Sequence, residues 1–520
     1  MTNKKLVVFD ENLVMVDAEY RTFELMDWPS AQDVDSVPVH DLASMERWLL
    51  EGLSRFAARY PVRAISVTTH GATCVAVGDD GLPAVPAVVY THEPGDRFHD
   101  RFFDMAGNPY ALQQSTGTPY FRALVNTAKG TMFARERFPE AWKRVRYVLG
   151  YPQYWSYRLT GIAATESTYI GSHSYFWNHT EKAFSGVVGN LGLEGLMPTP
   201  VRMPCEVLGT VLPEVARKTG LDSNVIVTTG IHDSNAALLP YLACKPDRDF
   251  VLDSTGTWCV LMHPGQEYGF RADDIGRIVF FNQAADGKPV KTAIFTGGLE
   301  YGLWNTLIDR NAGCSADDST ATGTGSGPIP CSGSGHESMI DYELYRRIVK
   351  QRELFLLPEI LQGSGQFPDS TARLVVDGTS YSYNDLLDGA DAPSLMNDAH
   401  GARMARAALN LSLAIQTSVA LGRIGSGTET DIYIEGGFRN NPDYSSLVAT
   451  LAGGARVWLT GFDEATSLGA AMTARIAMTG EKPADLGPLL SMEQHAVAPM
   501  ELDGLPEYRN DFMRHAEGRA

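Results

Sequence analysis

The segment Phe250–Met262, FVLDSTGTWCVLM, constrains the chain more than any other. Two apolar runs of strand length flank the turn Asp253-Ser254-Thr255-Gly256-Thr257, which is small or hydroxylated apart from its leading aspartate. With nothing bulky in the way, backbone N–H groups and hydroxyls in such a turn can approach a phosphate closely. Taken alone, the segment fits an ordinary β-hairpin whose turn needs glycine. Two further glycine-marked turns alter that reading: Gly230-Ile231-His232-Asp233 shortly before it, and Glu435-Gly436-Gly437-Phe438-Arg439-Asn440 far downstream.

At 520 residues the chain is too long for one core, so two or more domains are expected. Its 44% hydrophobic and 20% charged content is that of a compact globular protein. A formal net charge of −19 argues against nucleic acid and anionic membrane as partners. A phosphate would have to be met by backbone donors, hydroxyls and a metal ion. The six cysteines show no C-x-x-C spacing, which predicts reduced thiols rather than a disulfide framework or a zinc site. No apolar run approaches membrane-span length, and the opening residues carry no signal-peptide pattern. The expectation is a soluble cytoplasmic protein.

Along the chain, strands are predicted at Leu6–Phe9 and Leu13–Val16, with a helix over Ser44–Ala58 carried by Met45, Trp48, Leu49 and Leu53. Ala64–Thr69 reads as a strand ending at His70-Gly71. Cys74–Val77 is expected to pair with Ala87–Tyr90 through the turn Gly78-Asp79-Asp80-Gly81, leaving Thr91-His92-Glu93 at a sheet tip. Leu124–Thr160 reads as largely helical, and among its aromatic residues Gln153 stands out as able to bond a hydroxylated ligand. A strand at Val225–Gly230 passes into a helix from Ser234, which places His232 and Asp233 at the junction. There a carboxylate is either an N-cap or a group facing a cleft.

In the second half, Gly297-Gly298 precedes a helical segment, and residues 312–335 read as a flexible Gly/Ser/Thr-rich insertion. Met404, Ala408, Leu411, Ile415 and Val419 mark a long helix. A strand at Ile432–Ile434 breaks at Gly436-Gly437, and a helix at Pro442–Leu451 takes Asn441 as N-cap. After a strand at Val457–Leu459, Asp463-Glu464 are expected to cap a helix whose small residues, Gly469 to Ala471, permit close packing.

This alternation indicates an α/β architecture with ligands at the carboxyl ends of the strands. No P-loop, no G-x-G-x-x-G and no H-E-x-x-H is present. What remains, glycine hairpins and one well-placed aspartate, suits a kinase in which catalysis is positioning, Mg²⁺ and one base.

On these residues the chain resembles the FGGY carbohydrate kinases, over nearly its whole length. The resemblance implies two duplicated actin-like (ribonuclease H-like) domains with a cleft between them: 1–243 for the sugar and 244–520 for the nucleotide. Gly230-x-His232-Asp233 resembles the family's catalytic segment, making Asp233 the general base. Ser254-Thr255-Gly256-Thr257-Trp258 resembles the second phosphate loop, so Thr255, Gly256 and Thr257 should face the γ-phosphate. Gly297 and Gly298 resemble the glycine pair near the phosphates, and Gly436, Gly437 and Asn440 belong to what resembles the adenosine motif. ATP and Mg²⁺ follow as cofactors, with no metal ligand assigned to a residue.

Two stretches depart from the family pattern. Thr91-His92-Glu93-Pro94 stands where the family commonly has Asp-x-Arg, so the sugar is not named. The pocket candidates are His70, Gly71, His92, Glu93, Gln153 and His232. Thr2, Asn3 and Lys5 fit the tail of the first phosphate loop, whose Asp-x-Gly is expected to lie before Met1. The expected activity is ATP-dependent phosphorylation of a ketose (rhamnulose-, fuculose- or xylulose-like) or a polyol. The alternatives are a catalytically weak sugar-binding relative and an actin-like ATPase without a sugar substrate. The oligomeric state stays open, a homodimer included.

Overall fold

The computed structural model describes residues 2–28, 36–312, 340–389, 392–462 and 464–518. The predicted insertion at 312–335 falls almost wholly outside them, as does Asp463.

The chain opens with an antiparallel pair, β1 (Thr2–Phe9) and β2 (Met15–Phe23), followed by α1 (Leu42–Ala57). The short strands β3 (Ala64–Ile65) and β4 (Thr68–Thr69) come next, then β5 (Cys74–Gly78). Further on lie β6 (Val145–Gly150), α2 (Tyr151–Thr160), β7 (Ile226–Thr228) and β8 (Ile231–His232). β7 runs parallel to β3 and β8 parallel to β4, so one continuous line of pairing delivers the chain to α3 (Asp233–Cys244).

β5 pairs antiparallel with β6, not with Ala87–Tyr90 as the sequence suggests. Pro83 and Pro86 explain the difference, since proline withholds the N–H that a ladder needs. Only isolated bridges form there, Val77 with Pro83 and Val39 with Val88. The existence of β6 also corrects the helical reading of Leu124–Thr160. Its β-branched and aromatic residues (Val145, Tyr147, Val148) favour a strand between two helical stretches.

The second half is built on one seven-stranded sheet. Its members are β9 (Phe250–Thr255), β10 (Cys259–Pro264), β11 (Val279–Gln283), β12 (Pro289–Phe295), β13 (Asp431–Gly436), β14 (Arg456–Gly461) and β15 (Glu493–Ala496). They lie in the order β11-β12-β10-β9-β13-β14-β15. β9 is parallel to β13 and β13 to β14, and every other neighbouring pair is antiparallel. The hairpin expected at Phe250–Met262 is therefore the centre of the sheet. Its turn is narrower than the sequence suggests, because Asp253 to Thr255 remain in the strand.

The helices α4 (Gly297–Asn311) and α5 (Ala399–Ile424) cover this sheet, and α5 is apolar nearly all round because it is buried nearly all round. Asn441 caps α6 (Pro442–Leu451), its side chain accepting from Tyr444 N at 3.1 Å. The last element needed is α7 (Ala465–Thr479). Glu464 precedes it in a left-handed conformation and makes no side-chain cap. Its carboxylate pairs instead with Lys5, 2.6 Å away, and accepts from the Tyr20 hydroxyl at 3.3 Å.

α7 packs on both halves. A cluster of Leu13, Ile231, Ala236, Leu239, Leu468 and Met472 forms its contact with β8 and α3. Ser66 and Thr473 share a hydroxyl hydrogen bond of 2.7 Å. Among the described residues no helix is long and apolar enough to cross a membrane.

Candidate active site

Asp233 is the first residue of α3, with His232 in the N-cap position. Gly230 permits the turn that brings it there: its φ is +93°, a conformation that glycine adopts without penalty. Asp233 Oδ1 accepts from Ser234 N at 2.7 Å and lies 3.3 Å from His232 Nε2. Asn235 Nδ2 donates to His232 Nδ1 at 3.2 Å, which leaves the ring proton on Nε2, facing the carboxylate. Burial pushes Asp233 up to about 6, against the hydrogen bond from Ser234 and the nearby His173 and Lys4. Its side chain keeps 38% exposure, so it remains reachable from the cleft.

Around it the structure assembles His70, Gly71, Tyr90, His173 and His232. A Cβ at Gly71 would stand 2.6 Å from His173 Cε1 and 2.8 Å from His232 Nε2, so only glycine lets these rings close up. The His70 ring lies 5.1 Å from Tyr90 and 5.2 Å from Tyr151. Burial lowers His173 and His232 to about 4 and His70 well below its ordinary range, so all three are neutral at physiological pH. His173 is not among the residues the sequence singles out. It reaches the site from 60 residues upstream, fixed by a 3.1 Å hydrogen bond between Nδ1 and Val125 O.

The other pocket candidates stand apart. Gln153 is buried and spends its Nε2 on Thr229 O at 3.3 Å, bracing the turn before Asp233. The Glu93 carboxylate accepts from Gly95 N, Ala123 N and His99 Nε2 at 2.7–2.9 Å, and so holds a loop together. The His92 ring packs against Phe133 at 5.1 Å.

In the second half, the Thr255 hydroxyl is committed, donating to Glu435 O and accepting from Phe438 N at 2.9 Å. Thr255 is buried, while Gly256 and Thr257 are exposed. Gly298, in the first turn of α4, presses on the Gly256 carbonyl so closely that any Cβ there would overlap it. Gly436 does the same to the Thr255 carbonyl, with φ +81°. Beside this turn lies a cavity of about 310 Å³ lined by Glu435, Gly436, Arg439, Asn440, Gly461 and Ala465. Lys5 is engaged with Glu464, and the side chains of Thr2 and Asn3 lie outside what is described.

The two sites meet through two helices. Gly469 of α7 lies directly on the Ala236 carbonyl of α3, where a Cβ could not be placed. Ala465, which lines the cavity, is one turn before that crossing, and Asp233 is one turn before it on the other helix. At 1.5 Å per residue the offsets are about 6 Å and about 4.5 Å.

Residues 1–240 match the model for the FGGY family of carbohydrate kinases, N-terminal domain, and residues 335–483 match carbohydrate kinase FGGY, C-terminal domain. A rhamnulokinase of Bacteroides thetaiotaomicron is 25% identical over 222 residues, which cover 42% of this chain and 45% of the relative. The chain thus spans less than half the length of that curated relative. A carbohydrate kinase from Novosphingobium aromaticivorans shares the fold, with TM-score 0.74 and 24% identity, over 99% of this chain and 97% of that one. A glycerol kinase from Plasmodium falciparum, solved with ADP, shares it with TM-score 0.71 and 15% identity, over 99% and 95%. Two domain models that together match most of the chain settle the family: the chain belongs to the FGGY family of carbohydrate kinases.

Proposed function

We propose that this chain transfers the γ-phosphoryl group of ATP to a hydroxyl of a ketose, with Asp233 as the general base. What supports the reading is the crossing of α3 and α7 at Ala236 and Gly469: a partly exposed carboxylate lies one turn before it on α3, and the cavity at Gly436 and Asn440 lies one turn before it on α7. The sugar binds against residues 1–243, near His70, Gly71, His173 and His232. The nucleotide binds against residues 244–520, with its phosphates at Gly256, Thr257 and Gly298 and its adenosine at Gly436, Gly437 and Asn440. The glycerol kinase solved with ADP and the rhamnulokinase relative support a nucleotide and a ketose respectively.

In this reading Asp233 accepts the proton of the acceptor hydroxyl as its oxygen attacks the γ-phosphorus. The Nε2–H of His232 holds the carboxylate in place, and the neutral histidines offer hydrogen bonds to sugar hydroxyls without adding charge. The glycine turns let backbone N–H groups approach the phosphates. Mg²⁺ supplies charge neutralisation on the nucleotide.

The experiment is ADP release measured over a panel of ketoses, deoxyketoses and polyols, with rhamnulose, fuculose and xylulose first. Sugar-dependent release supports the reading. Sugar-independent release would favour an ATPase, and binding without release a non-catalytic relative.

A further inference from the structure

β8 delivers the chain to Asp233 with one edge paired. On that edge it runs parallel to β4, and Ile231 N donates to Val67 O at 2.9 Å. Strand alternation turns the next N–H, that of His232, to the opposite edge, where no strand pairs with it among the described residues. The hydroxyl of Thr168 stands in for the strand and accepts from His232 N at 3.1 Å. Both residues are buried.

That hydroxyl is not free to turn away. Its proton goes to Glu166 Oε2 at 2.8 Å, and an ionised carboxylate only accepts, so the lone pairs of Thr168 Oγ1 are left for the His232 N–H. Glu166 is pinned in turn. It accepts from Thr168 N at 2.6 Å, Tyr169 N at 3.0 Å and the Ser167 hydroxyl at 3.2 Å, and Thr165-Glu166 pairs in parallel with Val201-Arg202. Burial pushes Glu166 up to about 7, against these four donors, which favour the ionised form.

The same segment grips the other side of the turn. Ser172 Oγ accepts from Asn235 Nδ2 at 3.4 Å, and that amide also donates to His232 Nδ1 at 3.2 Å. Residues 166–172 thus hold His232 and Asn235, which bracket Asp233, and leave its carboxylate alone. The contacts that the carboxylate does make, with Ser234 and His232 Nε2, fall on Oδ1.

We propose that Thr168 is a positioning residue of the phosphoryl transfer: oriented by Glu166, its hydroxyl fixes the His232 N–H and with it the place of the Asp233 carboxylate. This rests on the kinase reading above, in which Asp233 must lie within hydrogen-bond reach of the acceptor hydroxyl. A displaced base keeps its charge, and the sugar still binds, but the geometry for taking the proton is lost. Thr168 touches backbone rather than substrate, so its loss is read in kcat and not in KM.

The test compares wild type with Thr168→Val, Thr168→Ala and Thr168→Ser. In the full-length protein labelled with ¹⁵N-histidine, exchange of the His232 amide is followed by NMR, its signal assigned by its loss in His232→Gln. Thr168→Val and Thr168→Ala leave that N–H without its acceptor, so its exchange should quicken about five- to tenfold while the other histidine amides keep their rates. Thr168→Ser keeps the hydroxyl and should keep the wild-type rate. For any sugar that the wild type phosphorylates, kcat at pH 8, where Glu166 is ionised, should fall about 10–100-fold in Thr168→Val and Thr168→Ala. KM for sugar and for ATP should change little, and Thr168→Ser should turn over near wild type. Should Thr168→Val not fold, the smaller Thr168→Ala carries the comparison. Wild-type exchange at His232 in the variants without the hydroxyl, equally fast exchange in Thr168→Ser, or unchanged kcat overturns the proposal. Because exchange needs no substrate, a wild type that releases no ADP with any sugar would sink the kinase reading, while the exchange rates judge the Thr168–His232 link by themselves.

Discussion

Gly469 lies against the carbonyl oxygen of Ala236, closer than any side chain would allow. This one contact sets the distance between the helix that begins at Asp233 and the helix that begins beside the cavity at Gly436 and Asn440. The predicted consequence is that Gly469→Ala costs stability and Gly469→Val costs more, about 1–3 kcal/mol for overpacking, read as a lower urea midpoint. Activity should fall further than stability, because pushing the helices apart moves Asp233 relative to the nucleotide. A Gly469→Val protein with wild-type turnover would show that this spacing does not matter.

The Gly298 contact makes a separate prediction. A Cβ on Gly298 would overlap the Gly256 carbonyl and deform the turn at Gly256 and Thr257. Gly298→Ala should therefore raise the KM for ATP, while sugar affinity measured without nucleotide stays unchanged. Thr255→Val should act differently. It removes the hydroxyl that joins Glu435 O to Phe438 N, so its cost should appear in stability before it appears in phosphate binding.

How far the sequence reveals this site depends on what held each residue in place. Gly256, Gly298, Gly436 and Asp233 are legible because their roles are local: a turn, a close approach, a helix start. The strand Asp431–Gly436 and the Asn441 cap were legible for the same reason. Glu93 and Gln153 look like ligand groups in sequence, but Gly95 N, Ala123 N and His99 hold the Glu93 carboxylate and Thr229 O takes the Gln153 Nε2, partners that only the fold supplies. His173 reaches the site through long-range packing, its ring 5.7 Å from that of His232. The pairing of β5 with β6 across 67 residues had no local signal beyond the prolines that ruled out the nearer partner.

Asp253 predicts a pH dependence of stability. It is fully buried in the strand that leads to the turn at Gly256 and Thr257, and burial pushes it up to about 7, against a hydrogen bond from the Tyr444 hydroxyl. An unfolded aspartate titrates near 4. Between those values the folded protein holds a proton that the unfolded chain has lost. The stability this group contributes is therefore full below about pH 4 and declines as pH rises to about 7. Urea unfolding at pH 5 and pH 8 should show lower stability at pH 8 from this group. Asp253→Asn should flatten that part of the slope, and an unaltered slope would mean that Asp253 is already ionised in the folded protein.

Asp233 bears the central claim, and it is tested most directly by Asp233→Asn, assayed for turnover and for sugar binding in the same preparation. With burial holding the carboxyl near 6, wild-type turnover should rise with pH through that value and then level off. The substitution should reduce kcat by about 10²–10⁴-fold, the usual range for a general base, while calorimetry shows sugar binding near wild type. A purified Asp233→Asn protein that keeps wild-type kcat would contradict the account.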